Sequence, residues 1–315
     1  MFNTLKRACF AACALIAVGM LPAAAEYPEK PVSFIVPWPP GDLEDVLTRM
    51  IADEFQATHN VPAAVVNKPG GGGGPFPGAV EVAKAPADGY TVGSFVIAVP
   101  AIGPNIGIPE LSPNPFEPLG IFLTYPFVIA AGEKAPYSDM KGLTEHAKKN
   151  DVALGHFGAP LVPTRVTLAL AKKQGFEYAS DAAFDALDCN TLASGDVDVI
   201  NTTLQLILPC KDKVKILASI GSERTSLTPE TPTVGELEPE LNVALWNGLF
   251  VHKDTPADAR AKLTAAAKKA VMSEKAQKLA KETGALIFWQ DADASTKQIE
   301  MDKKTLGTIG NLLGE

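Results

Sequence analysis

Short apolar runs alternate with amphipathic segments along most of the chain. The apolar runs at residues 33–36, 63–66 and 91–96 have the length and composition of buried strands. Between the first two runs, apolar residues recur at helical spacing from Val46 to Phe55. This order of strand, helix and strand predicts an α/β fold with parallel strands.

The alternation continues through the middle and the C-terminal part of the chain. It predicts one long strand at residues 121–131 and a helical C-terminal region that starts with Pro256. No segment has the composition of a flexible linker, and two lobes without a linker are usually joined by crossovers that act as a hinge. The other predicted strands are residues 152–155, 197–201, 214–218 and 249–251, and the predicted helices are residues 138–149, 164–173, 256–273, 274–283 and 294–306.

The first 25 residues have the pattern of an export signal. Lys6 and Arg7 precede an apolar stretch at residues 8–21, and alanines at residues 23–25 precede a charged segment. The apolar stretch is short for a membrane span, and no later run reaches the roughly 18 apolar residues that a second span needs. We therefore expect residues 1–25 to be a signal peptide that is removed on export.

Composition narrows the class of function. Removal of Lys6 and Arg7 changes the formal net charge from −8 to −10. An acidic chain without a Lys/Arg cluster is a poor candidate for binding nucleic acid or an anionic membrane surface. The histidines have no metal-like spacing, and no metalloprotease or hydrolase motif is present. We therefore expect no metal, no cofactor and no catalysis, so that binding is the favoured activity.

Two cysteines, Cys189 and Cys210, remain once residues 1–25 are removed. In an oxidising compartment an even pair favours a disulfide, which here would close a loop of about 20 residues. Two buried free thiols are the alternative.

Two loops with few side chains each follow a predicted strand. Residues 37–41 read Pro-Trp-Pro-Pro-Gly and lead into a helix that Asp42 is expected to cap, with Asp45 at the capping-box position. Residues 70–74 are five consecutive glycines, and Pro75 stands where a dinucleotide fingerprint would need glycine. Glycine-rich backbone and the first turn of a helix both present N–H groups that favour a carboxylate or phosphate. A mobile turn is the alternative for the glycine run.

Six short blocks carry a resemblance to a known family. They are Tyr27-Pro28-x-Lys30-Pro31, Val36-Pro37-Trp38-Pro39-Pro40-Gly41-x-x-x-Asp45-Val46-Leu47, Asn67-Lys68-Pro69-Gly70-Gly71-Gly72-Gly73, Val82-Ala83-Lys84-Ala85-x-x-Asp88-Gly89-Tyr90-Thr91, Pro232-Thr233-Val234-x-Glu236 and Trp246-x-Gly248-Leu249-Phe250. In this order they resemble the Bug family, the TctC-like periplasmic substrate-binding proteins of tripartite tricarboxylate transporters. The resemblance implies a two-lobed α/β fold, periplasmic binding protein type II-like, with a ligand cleft between the lobes. The expected lobes are residues 26–126 with 249–315, and residues 127–248.

The resemblance also implies a function and a set of contacts. A receptor of this kind captures a small organic carboxylate in the periplasm and presents it to two membrane subunits, and we expect it to act as a monomer. In the family, the proline-rich loop and the glycine loop clasp one carboxylate largely through backbone N–H groups and ordered water, and the opposite lobe holds the rest of the ligand. The expected ligand-binding residues are Trp38, Pro39, Pro40, Gly41, Asp42, Gly70, Gly71, Gly72, Gly73, Gly74, Phe76, Val99, His156, Thr164, Arg165 and Asn201, the last near a strand end.

The first loop departs from the family pattern where its helix begins. The family usually continues with glycines and a threonine, whereas this chain has Asp42, Leu43 and Glu44. Two added carboxylates oppose anion binding unless they point to solvent. Either Asp42 only caps the helix, or the ligand carries a cationic or hydrogen-bond-donating group.

Aromatic residues near the expected cleft each have two interpretations. The segment Pro75-Phe76-Pro77 lengthens the second loop, so that Phe76 lies over the cleft or anchors the loop. Trp38 stacks on an aromatic ligand or packs the loop, and Trp246 belongs to the hinge or the core.

The second lobe departs from the family pattern as well. Arg165 at a helix start could bind a carboxylate bidentately, and His156 could donate a hydrogen bond. The alternatives are that Arg165 pairs with Asp181 or Asp185 and that His156 is a partly exposed strand-end residue.

Two other classes of function remain open on the sequence. One is a sensor whose closed form contacts the periplasmic domain of a histidine kinase. The other is a periplasmic hydrolase or isomerase that uses His156 with Asp185 or Asp188.

Overall fold

The computed structural model describes residues 26–70, 74–184 and 186–314. The expected signal peptide, residues 1–25, lies outside them, as do Gly71, Gly72, Gly73 and Asp185. No helix of the described residues is long and apolar enough to cross a membrane.

The strands are β1 (Val32–Val36), β2 (Ala63–Asn67), β3 (Thr91–Val96), β4 (Phe116–Thr124), β5 (Phe127–Gly132), β6 (Ala153–His156), β7 (Ser180–Ala183), β8 (Val199–Thr203), β9 (Val214–Ile220), β10 (Trp246–His252) and β11 (Leu286–Asp291). The α-helices are α1 (Leu43–His59), α2 (Phe76–Lys84), α3 (Ala98–Ile102), α4 (Met140–Ala147), α5 (Val162–Lys173), α6 (Cys189–Ser194), α7 (Leu204–Ile207), α8 (Val234–Leu237), α9 (Ala257–Val271), α10 (Glu274–Thr283) and α11 (Ala292–Leu313).

The first sheet has six strands in the order β11-β4-β10-β3-β1-β2. β1 is parallel to β2 and to β3, as the alternation of strand and helix predicts, whereas β10 pairs antiparallel with β3 and β4. Phe34, Phe55, Phe95 and Phe250 are fully buried in the core of this lobe. Burial of these large rings makes hydrophobic packing the main stabilising contribution here.

The second sheet has five strands in the order β7-β6-β8-β5-β9. β6 is parallel to β7 and β8, and β5 is antiparallel to β8 and β9. Val128, Ile200 and Ile207 are fully buried in a small core on one side of this sheet. Helix α5 packs against β8 and also against the C-terminal helix α11, so that α11 contacts both lobes.

The chain passes from the first sheet to the second at Tyr125 and Pro126. The prediction of one strand at residues 121–131 is therefore wrong, because β4 ends at Thr124 and β5 begins at Phe127 in the other sheet. Proline has no N–H for a sheet ladder and restricts the residue before it, so strand pairing is interrupted there. The return crossing runs alongside, since the Tyr125 N–H donates to the Leu245 carbonyl at 2.8 Å just before β10.

This crossing fixes which edges of the two sheets face each other. In the first sheet Thr124 aligns with Trp246, at the end where β1, β2 and β3 finish. In the second sheet Phe127 aligns with Thr203, at the end where β6 also finishes. The carboxyl ends of parallel strands from both sheets therefore border one gap, the usual place for a ligand in open α/β sheets.

Several elements differ from the sequence expectation. The sequence pattern does not predict β11, whose pairing with β4 is irregular between Ile287 and Gln290. α2 begins at Phe76, so the segment from Pro75 starts a helix and does not lengthen the loop. The last helix, α11, extends beyond the predicted residues 294–306 at both ends.

Trp246 lies in the first sheet, where it is buried in the core. β10 begins at this residue, so the expected lobe boundary after residue 248 falls inside a strand of the first sheet. The Trp246 Nε1–H donates to Asp302 Oδ2 at 2.6 Å. This hydrogen bond fastens α11 to the start of β10, next to the return crossing.

Cys189 and Cys210 form a disulfide in the second lobe. It joins the start of α6 to the 3₁₀ segment at residues 208–213. A cross-link over a separation of 21 residues restricts the unfolded chain, which in the chain-entropy model is worth about 3 kcal/mol.

The close approach of β11 to β4 depends on a glycine. A Cβ atom on Gly120 would lie 2.4 Å from the Trp289 ring and 2.6 Å from the Gln290 carbonyl oxygen. We expect Gly120→Ala to lower the free energy of unfolding by about 1–3 kcal/mol through overpacking, measured by chemical denaturation. Gly132→Ala is the matched control, because a Cβ there would meet only the Leu192 carbonyl oxygen at 3.6 Å. Equal destabilisation by the two substitutions would contradict this account of β11.

Candidate functional site

Three helices begin at the gap between the two sheets. α1 follows β1 through residues 37–42, α2 follows β2 through the glycine loop, and α5 follows β6. The first N–H groups of a helix have no intrahelical partner, and the helix dipole adds a partial positive charge there. The gap is therefore favourable for an anion, with donors available from both lobes.

The loops that lead into these helices lie against one another. A Cβ atom on Gly78, in the first turn of α2, would lie 2.9 Å from Pro37 Cβ, so the absence of a side chain lets this turn pack against the first loop. Across the gap, a Cβ atom on Gly74 would lie 3.5 Å from Leu161 Cδ2, an ordinary van der Waals distance. Because Leu161 immediately precedes α5, the glycine loop meets the second lobe where that helix begins.

The first loop is held in place by the buried carboxylate of Asp45. Its Oδ2 accepts the Gly41 N–H at 2.9 Å, and both of its oxygens accept from Arg49, at 3.0 and 2.9 Å. Asn67 Nδ2 donates to Asp45 Oδ1 at 2.8 Å and to the Trp38 carbonyl at 3.0 Å. Although burial opposes it, these hydrogen bonds hold the pKa of Asp45 below its usual value. The loop from Trp38 to Gly41 is thus fixed by the protein's own side chains.

Asp42 occupies the N-cap position of α1 but does not cap the helix. Its side chain accepts no hydrogen bond from the helix, so the expectation of a side-chain cap is wrong. Asp45 instead reaches back to the Gly41 N–H. Burial, with a contribution from Asp45, raises the pKa of Asp42 above its usual value. The alternative, that the ligand carries a cationic or hydrogen-bond-donating group, stays a prediction.

Glu44 is buried inside the first lobe. Only 3% of the residue is exposed, and its Oε2 lies 2.9 Å from the Tyr125 hydroxyl oxygen, within hydrogen-bond distance. Burial, followed by the charge of Asp42, raises the pKa of Glu44 to about 8. From its position in the sequence, Glu44 is expected to oppose anion binding unless its carboxylate points to solvent. The structure corrects this, because a buried neutral carboxyl adds little charge to the gap.

Three buried polar atoms beside the gap have no hydrogen-bond partner among the described residues. They are Trp38 Nε1, Thr164 Oγ1 and Asn201 Oδ1. Thr164 lies in the first turn of α5, and Asn201 lies under that helix, where its Nδ2 donates to Thr167 Oγ1 at 2.8 Å. Asn201 is in the middle of β8 and not at a strand end. Because buried polar groups almost always have partners, these atoms favour a polar ligand or ordered water in the gap.

His156 uses both ring nitrogens within its own lobe. Its Nδ1 accepts the Gly158 N–H at 3.0 Å, so Nε2 carries the proton and donates to Asp181 Oδ1 at 2.8 Å. The residue is 2% exposed, which corrects the expectation of a partly exposed residue. His156 therefore orders the turn at Gly158, and neither nitrogen is left to donate to a ligand.

The other predicted ligand contacts divide between the gap and the core. Pro39, Pro40 and Gly41 are exposed on the first loop, while Gly70 and Gly74 are half-buried. Arg165 is half-buried in the first turn of α5. Phe76 and Val99 are 8% and 1% exposed and belong to the core of the first lobe. The structure thus makes Phe76 an anchor of α2 and not a cover of the cleft.

A cavity of about 480 Å³ lies away from these loops, beside the crossings and along β11. Trp246, Leu286 and Gln298 are among the residues that line it. Two of its glutamines already have partners: Gln277 Nε2 donates to the Ile287 carbonyl at 3.1 Å, and Gln298 Nε2 donates to Asp302 Oδ1 at 3.0 Å. It borders none of the three helix starts, so the gap is the better candidate. Within the described residues, no group of His, Cys, Asp and Glu side chains could hold a metal ion.

Comparison with known proteins identifies the family of this chain. The model of a family described as "Tripartite tricarboxylate transporter family receptor" matches residues 47–314. The chain belongs to this family. The resemblance of the six sequence blocks to TctC-like Bug proteins is therefore confirmed, and the family consists of solute-binding receptors.

This receptor has similar relatives in sequence and in structure. An Agrobacterium vitis protein described as "UPF0065 protein in the TAR-I ttuE-ttuC' intergenic region" is 29% identical over 285 residues, which cover 82% of this chain and 77% of the relative. The periplasmic binding protein BugD has a TM-score of 0.75 at 25% identity, covering 90% of this chain and 99% of BugD. R. palustris Rpa4515 with adipate has a TM-score of 0.78 at 20% identity, covering 92% and 99% of the two chains. The expected periplasmic-binding-protein fold is confirmed.

Asn67 links the first loop to the network around Asp45. Asn67→Ala removes two donated hydrogen bonds and one accepted from Arg49 Nη2 at 2.8 Å. We expect it to lower the free energy of unfolding by about 1–3 kcal/mol, measured by chemical denaturation, because buried partners are left unpaired. Asn114→Ala is the control, since that amide bonds only the backbone of Phe116 among the described residues. A loss no larger than that of the control would show that Asn67 does not hold the loop.

Proposed function

We propose that this protein is an exported receptor that captures a small organic carboxylate in the gap between its two lobes. The observation that carries the proposal is the meeting of three helix starts, from both lobes, at one gap. Unpaired N–H groups at those starts bind an anion without requiring a basic side chain. Donors of this kind explain how an acidic chain, with a net charge of −8 before and −10 after the expected removal of residues 1–25, can hold an anion.

Family membership supports a carboxylate over other anions. The family's described role is that of a receptor for tripartite tricarboxylate transporters, and the similarly folded R. palustris protein has adipate, a dicarboxylate, bound. Thr164 Oγ1 and Trp38 Nε1 supply further hydrogen-bonding capacity on opposite sides of the gap. We infer that one carboxylate meets the first-lobe loops while the rest of the ligand meets the start of α5.

Release to a transporter requires that binding change the shape of the receptor. A ligand that contacts both lobes favours the closed arrangement, whereas contact with one lobe alone would shift nothing. The paired crossings at Tyr125 and Leu245 supply the hinge. We therefore propose that the closed, loaded receptor delivers its ligand to the membrane subunits of such a transporter in the periplasm.

The arrangement around His156 supports binding in place of catalysis. Asp181, not Asp188, accepts from His156, and Asp188 instead caps α6 by accepting the N–H groups of Asn190 and Thr191. Asp185 lies outside the described residues. A buried histidine whose two nitrogens are both engaged has no free position for a general base.

A panel of organic acids tests the proposal directly. We expect the melting temperature of the protein to rise in a saturable way with at least one series of mono-, di- or tricarboxylates, because a ligand that binds only the folded state stabilises it. The matched control is the amide of each acid, for example adipamide beside adipate, which keeps the shape and removes the charge. Equal shifts with acids and amides, or no shift with either, would contradict a carboxylate receptor.

The first loop offers a sharper test at Gly41. Its φ is +100°, and a Cβ atom there would have no neighbour within 4 Å, so Gly41→Ala acts through backbone strain alone. We expect this substitution to weaken carboxylate binding by about tenfold or more in calorimetry, because the strained loop moves its N–H groups. Gly195→Ala is the matched control, with φ of +78° and equally open space, and it lies near the opposite end of β8 from the gap. Similar affinity in both variants would remove this loop from the ligand site.

A further inference from the structure

A closed ring of buried polar side chains lies behind the first loop. Glu44 Oε2 is 2.9 Å from the Tyr125 hydroxyl, which is 3.4 Å from Asn247 Oδ1. Asn247 Nδ2 donates to Ser94 Oγ at 2.8 Å, and Ser94 Oγ lies 2.8 Å from Thr48 Oγ1. Thr48 Oγ1 returns to the Glu44 carbonyl at 2.5 Å. All five residues are at most 8% exposed.

The ring joins the first loop to both crossings between the lobes. Glu44 is the second residue of α1, the helix that the first loop leads into. Tyr125 is on the outgoing crossing, between β4 and β5. Asn247 is the second residue of β10, directly after the return crossing. The Glu44 side chain is thus the point at which the loop and the hinge are connected.

The number of protons in the ring favours a neutral Glu44. Asn247 directs its amide nitrogen to Ser94, so its Oδ1 faces the Tyr125 hydroxyl as an acceptor. Glu44 Oε2 and Asn247 Oδ1 together need two donated protons, and the tyrosine hydroxyl has one. A proton on Glu44 lets Glu44 donate to Tyr125 and Tyr125 donate to Asn247. If Glu44 ionises, one of the two contacts is lost.

Among the residues that the structure describes, no cation acts on Glu44 to compensate its charge. The charged or titratable groups that act on it are Asp42 and Asp45 on its own helix start and Tyr125 on the crossing. Arg49 is engaged with Asp45 and Asn67. The partners on β3 and β10, Ser94 and Asn247, do not titrate. Burial and Glu44 itself raise the pKa of Tyr125 far above its usual value, so the hydroxyl keeps its proton.

We propose that Glu44 is a positioning residue whose protonated carboxyl ties the ligand loop to the hinge, so that loss of this proton weakens binding of an anionic ligand. The inference rests on the proposed function. An ionised Glu44 would place a buried negative charge in the first turn of α1, the helix start that is to hold the anion, and would break the ring at Asn247 or Tyr125. Residue 44 is also a position at which this chain departs from the usual family pattern.

The direction of the pH effect follows from the pKa of Glu44, which is raised from 4.5 to about 8 in the folded protein. The folded state binds this proton more tightly than the unfolded chain does. The stabilisation is fully present below about pH 4.5, declines as pH rises and is lost above about pH 8. If an anion binds only the protonated form, its affinity falls by up to about tenfold per pH unit above that pKa.

The first arm of the test needs no ligand. Chemical denaturation midpoints are measured from about pH 6 to about pH 9 for the wild type, Glu44→Gln and the control Glu110→Gln, a half-buried residue whose partner is Lys84. Glutamine keeps a donor and an acceptor but cannot ionise. We expect the wild type and Glu110→Gln to lose stability with rising pH to the same extent, and Glu44→Gln to lose clearly less. Identical profiles for all three would overturn the proposal.

The second arm measures affinity for adipate, succinate and malate by calorimetry over the same pH range. We expect wild-type affinity to fall above about pH 8, and the affinity of Glu44→Gln to stay level. A wild-type affinity that stays level, beside a pH-dependent midpoint, would show that Glu44 titrates without acting on the ligand site, which also overturns the proposal. Absence of binding at every pH in both proteins would count against the proposed function and against the coupling of Glu44 protonation to ligand affinity. The denaturation measurements would still report whether Glu44 titrates.

Discussion

The structure depends on the crossing at Tyr125 and Pro126. Because proline cannot extend the ladder of β4, the chain leaves the first sheet there and starts the second one two residues later. That single break sets the edges of two sheets against each other with their parallel strands ending at the same gap. Every feature of the candidate site follows from this arrangement, since the helices after those strands must begin where the strands end.

An acidic protein that holds an anion must solve an electrostatic problem, and in the proposed binding mode the solution is local. The donors are backbone N–H groups at helix starts, which carry partial positive charge whatever the net charge of the chain. The protein limits the effect of each nearby carboxyl group on the anion in a different way. Asp45 is ionised but surrounded by donors, and Glu44 is buried and neutral below about pH 8. Asp42 has a raised pKa and no capping bond, so it is the acidic group left to influence ligand choice.

Much of the fold could be predicted from the sequence, because apolar periodicity and the six blocks are local signals. The alternation of apolar runs and amphipathic segments predicted β1, α1, β2 and β3, with small errors at their ends. The prediction failed where tertiary structure overrides local pattern. One apolar run at residues 121–131 contributes strands to two sheets, and β11 approaches β4 closely at Gly120, where there is no side chain.

The site was predictable in its loops but not in its side chains. Glycine and proline at residues 37–41 and 70–74 indicate exposed N–H groups without further information. By contrast, the burial of Glu44 depends on Tyr125 and Asn247, which lie 81 and 203 positions further along the chain. The hydrogen bond of His156 likewise depends on tertiary structure, because its partner Asp181 lies on β7, which pairs with β6. The roles of Asn67 and Arg49 in holding the first loop gave no separate signal in a single sequence.

The most direct test of this account is a crystal structure of the protein with a bound carboxylate identified by screening. The account predicts that one carboxylate accepts hydrogen bonds from backbone N–H groups at the start of α1 or α2, and that the same molecule also contacts the start of α5 in the other lobe. A ligand held by one lobe alone, or seated in the cavity along β11, would contradict it.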